Sequence, residues 1–419
     1  MLKAADIFGP EVPSLTQGAT REFQCIDEGH YSLTLPQLGV VFSVDRLRRK
    51  WDELIGELTV RCDLSGAQTF DGVLSVGDFN LSTQRAREER ARYLSSRSKA
   101  PDVDWAGLLE EFVQRVLTAE RAGQPAVSLR DLPRPSPDDS IDLDGVRIID
   151  KHPMVLFGDG GTFKSYLALY FAGRLSQQGI RAALFDWELS GEDHRDRLER
   201  VFGADMPDIP YVRCSRPLVH EVDRLRRVVR EQDINYAIFD SIAFACDGAP
   251  EAAEVAGRYF QAVRQLGIGS LHVAHVNKSV EGDQKPFGSA FWHNGARSTW
   301  NVKQADAVPG TSQINIGLYN RKANLGPLQP AVGFEVGFTA DRTTVRRVQV
   351  ADVADLAGHL SVRQRMAHLL RKGALSPDDV AEEITADPET VRRIARRYKQ
   401  QFTVVPGGKL ALLETRRAS

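Results

Sequence analysis

The chain of 419 residues has few cysteines, and the four it has are widely separated. Cys25, Cys62, Cys214 and Cys246 form no CxxC pair, which argues against a zinc site and a disulfide framework and fits a reducing cytoplasm. No apolar run approaches the ~20 residues of a membrane helix, and the N-terminus lacks the apolar core of a signal peptide. We therefore expect a cytoplasmic protein with no membrane partner.

An excess of charge is also absent, because the formal net charge is −2. No overall basic balance points to nucleic acid, so any surface that binds nucleic acid must be local. The hydrophobic fraction of 42% and the charged fraction of 26% are those of a globular protein. The length predicts roughly two to three domains.

Glycine is concentrated in one turn, GDGGTFKS, which follows the apolar run Val155-Leu156-Phe157 and precedes a helical pattern over 166–175. Strand, tight loop and helix N-terminus in that order make a phosphate cradle of backbone N–H groups. Lys164 is expected to reach the outer phosphates of ATP, and the Ser165 hydroxyl to bind Mg²⁺. The candidate nucleotide-binding residues are Gly158, Asp159, Gly160, Gly161, Thr162, Phe163, Lys164, Ser165 and Tyr166.

This turn departs from the Walker A pattern G-x-x-x-x-G-K-[ST] at one position, because Phe163 stands where the last glycine belongs. That glycine normally adopts a backbone geometry that a side chain resists. Three interpretations are open: the loop reaches the geometry with a phenylalanine, it binds nucleotide weakly or not at all, or it merely connects strand to helix. We expect ATP binding, because downstream features fit it.

Residues 1–122 predict a small α+β unit with a helical tail. Strands are predicted over 31–35, 40–44, 54–62 and 72–76, and helices over 82–94 and 104–121. A short helical run after the second strand carries the basic cluster Arg46, Arg48, Arg49 and Lys50. This cluster either contacts nucleic acid or is a solvated face. The proline-containing stretch 123–144 predicts a linker.

Strands alternate with helices over 145–350, which predicts an α/β domain with a mostly parallel sheet. Asp240 ends the strand Tyr236-Ala237-Ile238-Phe239 and has the Walker B form, so it is expected to hold Mg²⁺ with Ser165; an ordinary strand-end aspartate is the alternative. Ser241 follows it where many P-loop enzymes have a catalytic glutamate. We therefore look for that glutamate at the end of the neighbouring strand, where Glu188 is the candidate and Asp186 the local alternative.

The sequence of these motifs, a Walker A helix, then ALFDWELSGEDHRDRL, then YAIFD, resembles a known group. It is similar to the RecA-like P-loop ATPases of the RepA-like and DnaB-like hexameric helicases, AAA-type ATPases of mobile elements. The resemblance covers residues 145–345 and implies a RecA-like core in which Glu188 polarises the attacking water. It also implies a γ-phosphate sensor at His275 or Asn277; a buried structural His275 is the alternative.

The resemblance further implies DNA-contacting loops near residues 279–300. Phe291, Trp292 and His293 are candidates to stack on bases, and Lys278 or Lys285 to meet phosphate. The alternative is a loop packed on its own domain.

The segment LYNRKANLGP resembles the one that sends a basic finger into the neighbouring subunit of hexameric helicases. Arg321 and Lys322 are the catalytic candidates, Arg297 is another candidate, and a solvated turn is the bland interpretation. A finger acting in trans makes hydrolysis depend on assembly, so we expect a homo-oligomer, for which the resemblance implies a hexamer.

Residues 351–419 predict a winged helix-turn-helix, with helices over 362–372, 377–384 and 388–401 and a hairpin over 403–413. Residues 361–419 contain twelve Lys and Arg and seven Asp and Glu, a net charge of about +5. The excess is concentrated on the third helix, at Arg392, Arg393, Arg396, Arg397 and Lys399. This domain binds either DNA, which we favour, or protein.

The sequence therefore predicts a three-part protein: an N-terminal α+β unit, a RecA-like ATPase core and a C-terminal winged helix. The expected function is a Mg-ATP-dependent, DNA-associated ATPase, a RepA-like replicative helicase or DNA-remodelling motor of a mobile element. Two alternatives are a DNA-binding regulator switched by ATP and an interaction protein with a degenerate P-loop.

Overall fold

The computed structural model of the chain describes residues 20–123, 126–134, 140–276, 286, 290–306 and 310–413. The chain divides into two compact units, Met1–Arg134 and Pro135–Ser419. Within the described ranges, no helix has both the length and the apolar character needed to cross a membrane.

The first unit is a five-stranded antiparallel sheet with two helices. In spatial order its strands are β1 (Glu22–Asp27), β2 (His30–Leu35), β3 (Val40–Lys50), β4 (Glu53–Cys62) and β5 (Val73–Asn80). The helices are α1 (Gln84–Ser98) and α2 (Trp105–Ala122). Alternate residues of β3 and the predicted apolar stripe of α2, including Phe42, Trp105 and Phe112, form one buried core.

The predicted short helix around Arg46 is wrong, because residues 46–50 form the second half of β3. A bulge at Arg46, whose φ is +53°, shifts the register by which β3 pairs with β4. Beyond the bulge, Arg48 pairs with Ile55 and Lys50 with Glu53. Hydrogen bonding to the neighbouring strand therefore overrides the local helix-forming tendency of this charged run.

The second unit contains a nine-stranded sheet, preceded by the hairpin of β6 (Ser140–Leu143) and β7 (Val146–Ile149). In spatial order the strands of the sheet are β10 (Tyr211–Arg213), β9 (Ala182–Asp186), β11 (Tyr236–Asp240), β12 (Gly269–His275), β8 (Pro153–Gly158), β13 (Ser298–Gln304), β14 (Gln313–Ala323), β15 (Val332–Phe338) and β16 (Thr343–Val348). The first six are parallel, as expected, and the last three extend the sheet antiparallel.

Helices connect these strands, and an apolar core lies on each side of the sheet. The helices are α3 (Lys164–Gln177), α4 (Gly191–Phe202), α5 (Leu218–Glu231), α6 (Ile242–Ala245), α7 (Ala253–Gln265) and α8 (Ala290–Gly295). Strand β8 shows the alternation: Val155 packs with the α5 and α7 side, and Leu156 packs with the α3 side. Because six strands run in parallel, their carboxyl ends meet at one edge of the sheet.

The order of the strands decides which side chains share that edge. Strand β12 lies between β8, which leads into the glycine-rich turn, and β11, which ends in Asp240. On the other side of β11 lies β9, where Asp186 is in register with Asp240. The last residue of β12, His275, is in register with Gly158. The edge therefore brings together residues from four separate segments.

The last part of the second unit is helical and ends in a two-stranded sheet. Its elements are α9 (Ala354–Ala357), α10 (Val362–Leu369), α11 (Pro377–Glu383), α12 (Pro388–Arg397), β17 (Phe402–Val405) and β18 (Lys409–Leu412). Ser361, Ser376 and Asp387 accept hydrogen bonds that cap the N-termini of α10, α11 and α12. A separate apolar core that includes Met366 and Phe402 holds these helices and strands together.

Candidate functional site

The glycine-rich turn joins the fully buried β8 to the N-terminus of α3. Its glycines have identifiable roles: a Cβ on Gly158 would lie 2.5 Å from the carbonyl oxygen of Val302, and Gly161 has φ +78°. The predicted nucleotide-binding residues all lie on this turn or the first turn of α3: Gly158, Asp159, Gly160, Gly161, Thr162, Phe163, Lys164, Ser165 and Tyr166. A helix N-terminus preceded by such a loop presents unpaired N–H groups to an anion.

Phe163 adopts the backbone conformation that a glycine would have at this position. Its φ of 60° and ψ of 20° are left-handed, and it is the N-cap of α3. Left-handed geometry costs a residue with a side chain about 1–2 kcal/mol. The ring packs against Phe338 at the end of β15, with 5.5 Å between centroids, and against Tyr166 at 5.9 Å. The loop therefore has the glycine-like geometry, and aromatic packing offsets its strain.

Lys164 begins α3, and its ammonium is buried inside the loop. Nζ donates hydrogen bonds to the carbonyl oxygen of Asp159 (2.6 Å) and to Oγ1 of Thr162 (3.2 Å). Burial lowers its pKa to about 8, against the opposing attraction of Asp159, Asp240 and Glu188. A buried cation with carboxylates on one side is suited to an anionic ligand that supplies further negative charge.

Ser165 and Asp240 are brought together across the edge of the sheet. The Ser165 hydroxyl donates to Oδ1 of Asp240 at 3.0 Å, although 75 residues separate them in sequence. Burial raises the pKa of Asp240 to about 6, and the nearby carboxylates of Glu188 and Asp186 raise it further. Oxygen ligands of this kind fit Mg²⁺, and a cation would relieve the repulsion among the carboxylates. The peptide bond between Asp240 and Ser241 is cis.

Asp186 is fully buried, and both of its carboxylate oxygens are held by hydrogen-bond donors. Oδ1 accepts from the backbone N–H groups of Glu188 (3.0 Å) and Leu189 (3.2 Å), and Oδ2 accepts from Tyr211 Oη (3.0 Å) and Arg213 (2.9 Å). Burial alone raises the pKa of Asp186, but hydrogen bonds from His194 and the two N–H groups outweigh it, and the net shift is downward. Its charge is therefore stabilised internally and fixes the loop that follows β9.

Glu188 follows two residues later and is exposed. Its carboxylate is one of the charges that act on Lys164, Asp240 and His275, so it lies within electrostatic reach of all three. Because Asp186 holds the N–H of Glu188, the backbone at this position is fixed while the side chain faces the edge of the sheet. Of the two acids, Glu188 is the one whose carboxylate faces solvent.

His275, beside Gly158 in the sheet, is partly buried. Burial lowers its pKa, and the nearby Lys164 lowers it further. A histidine in this environment is neutral near pH 7 and offers a hydrogen bond rather than a charge. The other sensor candidate, Asn277, lies outside the described residues, as do Lys278 and Lys285.

The structure separates the two finger candidates on β14. Lys322 donates from Nζ to the carbonyl oxygens of His293 (2.7 Å), Asn294 (3.1 Å) and Ala296 (2.8 Å), so its ammonium closes the end of α8 within its own chain. Arg321 is exposed, and its guanidinium lies over the ring of Tyr319 at 5.7 Å. The alternative candidate, Arg297, is also exposed. Of the pair on β14, Arg321 alone presents its charge outward.

One candidate for stacking on DNA bases is wrong. Trp292 is fully buried, packs edge-on against Tyr259 at 5.2 Å, and donates its indole N–H to the carbonyl oxygen of Pro250. It is a core residue because α8 covers the sheet at this point. Phe291 remains 54% exposed, and His293 contacts Oγ1 of Thr299 through Nδ1 at 3.1 Å.

Helix α12 carries its basic residues on the face opposite its buried Val391 and Ala395. Arg392 is half-buried and paired with Asp378 at 2.5 Å. Arg396 is 73% exposed and reaches Glu389 only at 4.0 Å. The exposed basic residues of this segment are Arg393, Arg396, Arg397 and Lys399.

Sequence reasoning missed β10 and its two contributions to the site, Tyr211 and Arg213. The strand has only three residues, too short for its alternation to stand out. It also missed Lys303 on β13, whose Nζ lies 3.7 Å from a carboxylate oxygen of Asp159. A period-two pattern over Ser298–Gln304 was the available signal.

Residues 118–281 match the model of a family described as an AAA domain. No curated protein matches the chain. Solved structures that match include an isolated ATPase domain, at 12% identity and a TM-score of 0.38, over 46% of this chain and 82% of that one. A KaiC-like protein of Pyrococcus horikoshii OT3 matches at 17% and 0.38, over 48% and 91%. A DnaB-like replicative helicase, described with its primase interactions, matches at 11% and 0.39, over 47% and 59%.

The family match covers the segment from α2 to just beyond β12, and so includes the glycine-rich turn, Glu188, Asp240 and His275. The strand order agrees with the fold that the motifs imply, because the strand preceding Glu188 lies beside the strand that ends in Asp240. The central domain of this chain is therefore a RecA-like P-loop ATPase domain of the AAA-domain family.

Proposed function

We propose that the chain is a Mg-ATP-dependent, DNA-associated ATPase of the RepA-like helicase kind. The observation that carries the proposal is the convergence of four groups at one edge of the sheet: the Lys164 ammonium, the Ser165 hydroxyl and the carboxylates of Asp240 and Glu188. Phosphoryl transfer needs a phosphate cradle, metal ligands, a group that orients water and positive charge. The first three have candidates within a single copy of this domain.

The roles follow from chemistry. The N–H groups of the turn and Lys164 bind the phosphates of ATP, and Lys164 exchanges its bonds to Asp159 and Thr162 for phosphate oxygens. Ser165 and Asp240 hold Mg²⁺, which neutralises charge on the phosphates. Glu188 orients a water molecule and accepts its proton as the water oxygen bonds to the γ-phosphorus and ADP leaves.

The donors around Asp186 support Glu188 as the base. A base needs a carboxylate that water can reach, and Asp186 is fully buried with both oxygens already accepting hydrogen bonds. We assign Asp186 a positioning role, because it holds the backbone N–H of Glu188. His275 is proposed to contact the γ-phosphate by hydrogen bonding from the adjacent strand.

Arg321 is proposed as the finger that acts in the neighbouring subunit of a homo-oligomer. Its exposure supports this role, whereas the three carbonyl partners of Lys322 support a structural role for that lysine. DNA is proposed to bind the winged helix through the exposed cations of α12. We propose domain boundaries of 1–122, a linker at 123–144, the ATPase domain at 145–350 and the winged helix at 351–419.

The test is ATP turnover by the full-length protein, together with titration of a fluorescent ATP analogue. Lys164→Ala should lose binding or hydrolysis. Glu188→Gln should bind ATP and lose turnover by about a hundredfold or more, the scale of general-base help. Asp186→Asn should reduce turnover less than Glu188→Gln and lower the melting temperature, because it weakens the anchor of Arg213 and Tyr211.

Several results would decide against these assignments. If Lys164→Ala hydrolyses ATP like the parent, the nucleotide site is wrong. If Asp186→Asn alone blocks turnover while Glu188→Gln remains active, the base is Asp186. Turnover without unwinding of forked DNA would make the chain an ATP-switched regulator, and failure of the parent to bind the analogue would indicate a degenerate P-loop.

A further inference from the structure

The hairpin of β3 and β4 has an unusual tip. Lys50 pairs with Glu53, so Trp51 and Asp52 form a two-residue turn. Trp51 has φ +57° at the first turn position, where glycine, asparagine or aspartate is usual. Its side chain is 91% exposed, more than any other large hydrophobic residue in the described part of the chain. The largest side chain therefore occupies a turn position that favours the smallest.

Trp51 does not benefit the fold in this position. Left-handed geometry costs a residue with a bulky side chain about 1–3 kcal/mol, and an indole that stays in solvent gains nothing from burial. Leaving a tryptophan at a strained, exposed turn is expected where its ring contacts something outside the chain. An observed backbone outlier of this kind is a reason to look for function.

The residues that precede Trp51 are basic, and they differ in their partners. Arg46 is paired with Glu57 at 2.9 Å and Arg48 with Asp78 at 2.6 Å. Arg49 and Lys50 are both exposed, and no hydrogen bond or ion pair is found for either within the described ranges. Two cations without a carboxylate partner therefore stand directly beside the exposed indole.

We propose that this hairpin tip, residues 48–52, binds single-stranded nucleic acid, with Trp51 stacked on a base and Arg49 and Lys50 on phosphates. Aromatic rings beside cations are the common means of binding single strands, because every base has a face on which a ring can stack. Asp52 and Glu53 at the same tip disfavour insertion into anionic lipid. The site lies in the unit Met1–Arg134, to which the proposed ATPase mechanism assigns no role.

Tryptophan fluorescence gives a direct test, because the other four tryptophans are buried. Trp105, Trp187, Trp292 and Trp300 are 7% exposed or less. Titrating an oligodeoxythymidylate into the full-length, nucleotide-free protein should quench Trp51 emission and protect it from acrylamide. The Trp51→Ala variant should show no such change in emission.

Affinity is measured separately, by anisotropy of a labelled oligodeoxythymidylate. Trp51→Ala should weaken binding about 5- to 150-fold, the value of one stacked base, and Trp51→Phe should retain most of the affinity. Arg49→Ala with Lys50→Ala should reduce the slope of log affinity against log salt by about 1.4, at ~0.7 per phosphate contact. Phe70→Ala is the matched control, because Phe70 is 79% exposed in the same unit but away from the basic run.

The design separates this proposal from the others. Each measurement is repeated with Arg393→Ala and Arg396→Ala, so that binding through α12 does not mask the hairpin. Unchanged emission at saturating DNA, or parental affinity of Trp51→Ala, would refute the proposal. So would a shift of Trp51 emission by anionic vesicles and not by DNA. Trp51→Ala should hydrolyse ATP without DNA at the parental rate, so loss of the hairpin and loss of the ATPase site are distinguishable.

Discussion

Asp240→Asn should make the protein more stable at neutral pH while abolishing its ATPase activity. The carboxyl is 1% exposed, and burial raises its pKa from 3.8 to about 6. A raised carboxyl pKa means that the folded state holds the proton more tightly. Its stabilising effect is therefore complete below pH 3.8 and is lost as the pH rises through about 6. Above that pH the folded protein bears the full cost of a buried charge.

The size of this cost follows from the shift. The difference between 3.8 and about 6 corresponds to about 3 kcal/mol, at ~1.36 kcal/mol for each pH unit. Asparagine has the same shape, can still accept the hydrogen bond from Ser165, and carries no charge. For a domain of this size, about 3 kcal/mol corresponds to a rise of roughly 6–10 °C in melting temperature.

The assay is thermal unfolding of the parent and of Asp240→Asn between about pH 4.5 and pH 8. The difference in Tm should be largest at the high end and should shrink as the pH approaches 3.8. Addition of Mg-ATP should reverse the order, because a ligand stabilises only the protein that binds it. A Tm difference that does not vary with pH, or a variant that melts below the parent at about pH 8, would refute the reasoning.

Three further predictions concern other parts of the chain. Mixing Arg321→Ala with Lys164→Ala should restore some turnover if Arg321 acts in a neighbouring subunit, and a lack of complementation would count against this; Lys322→Ala should instead lower Tm, since it leaves three carbonyls unpaired. Arg393→Ala with Arg396→Ala should reduce the salt slope of duplex DNA binding by about 1.8, and an unchanged slope would indicate a protein-binding domain. Phe163→Gly should weaken ATP binding by about fivefold, as expected if ~1 kcal/mol of loop order is lost, despite restoring the Walker A glycine; equal or tighter binding would contradict this.

The sequence was sufficient where a pattern is local and strong. The strand before Gly158, the helix over Leu218–Glu231 and the Asp387 cap of α12 were all predictable from periodicity and capping rules. The mostly parallel sheet was also predictable, from the alternation of strands and helices. These features depend on a few consecutive residues, so no tertiary information is needed to see them.

Other features depend on contacts between distant segments and could not be predicted. The run after Val44 looked helical until its pairing with β4 was known, and β13 was hidden because its neighbours are set by β8 and β14. The choice between Asp186 and Glu188 could not be argued from strand alternation, which puts both on one side. What distinguishes them is the set of donors around Asp186, and two of these come from the three-residue strand β10.

Phe163 has a consequence for how the ATP-binding loop behaves before ATP arrives. A glycine in this position leaves a loop free to sample many shapes, and binding must then select one of them at a cost in entropy. Here the ring of Phe163 is fastened to Phe338, at the end of a strand in the antiparallel part of the sheet. The loop is thus set in advance, and its shape is linked to strands that lie outside the parallel core. A displacement of β15 is transmitted to the phosphate site through one aromatic contact, without any change in the ATP-binding residues themselves.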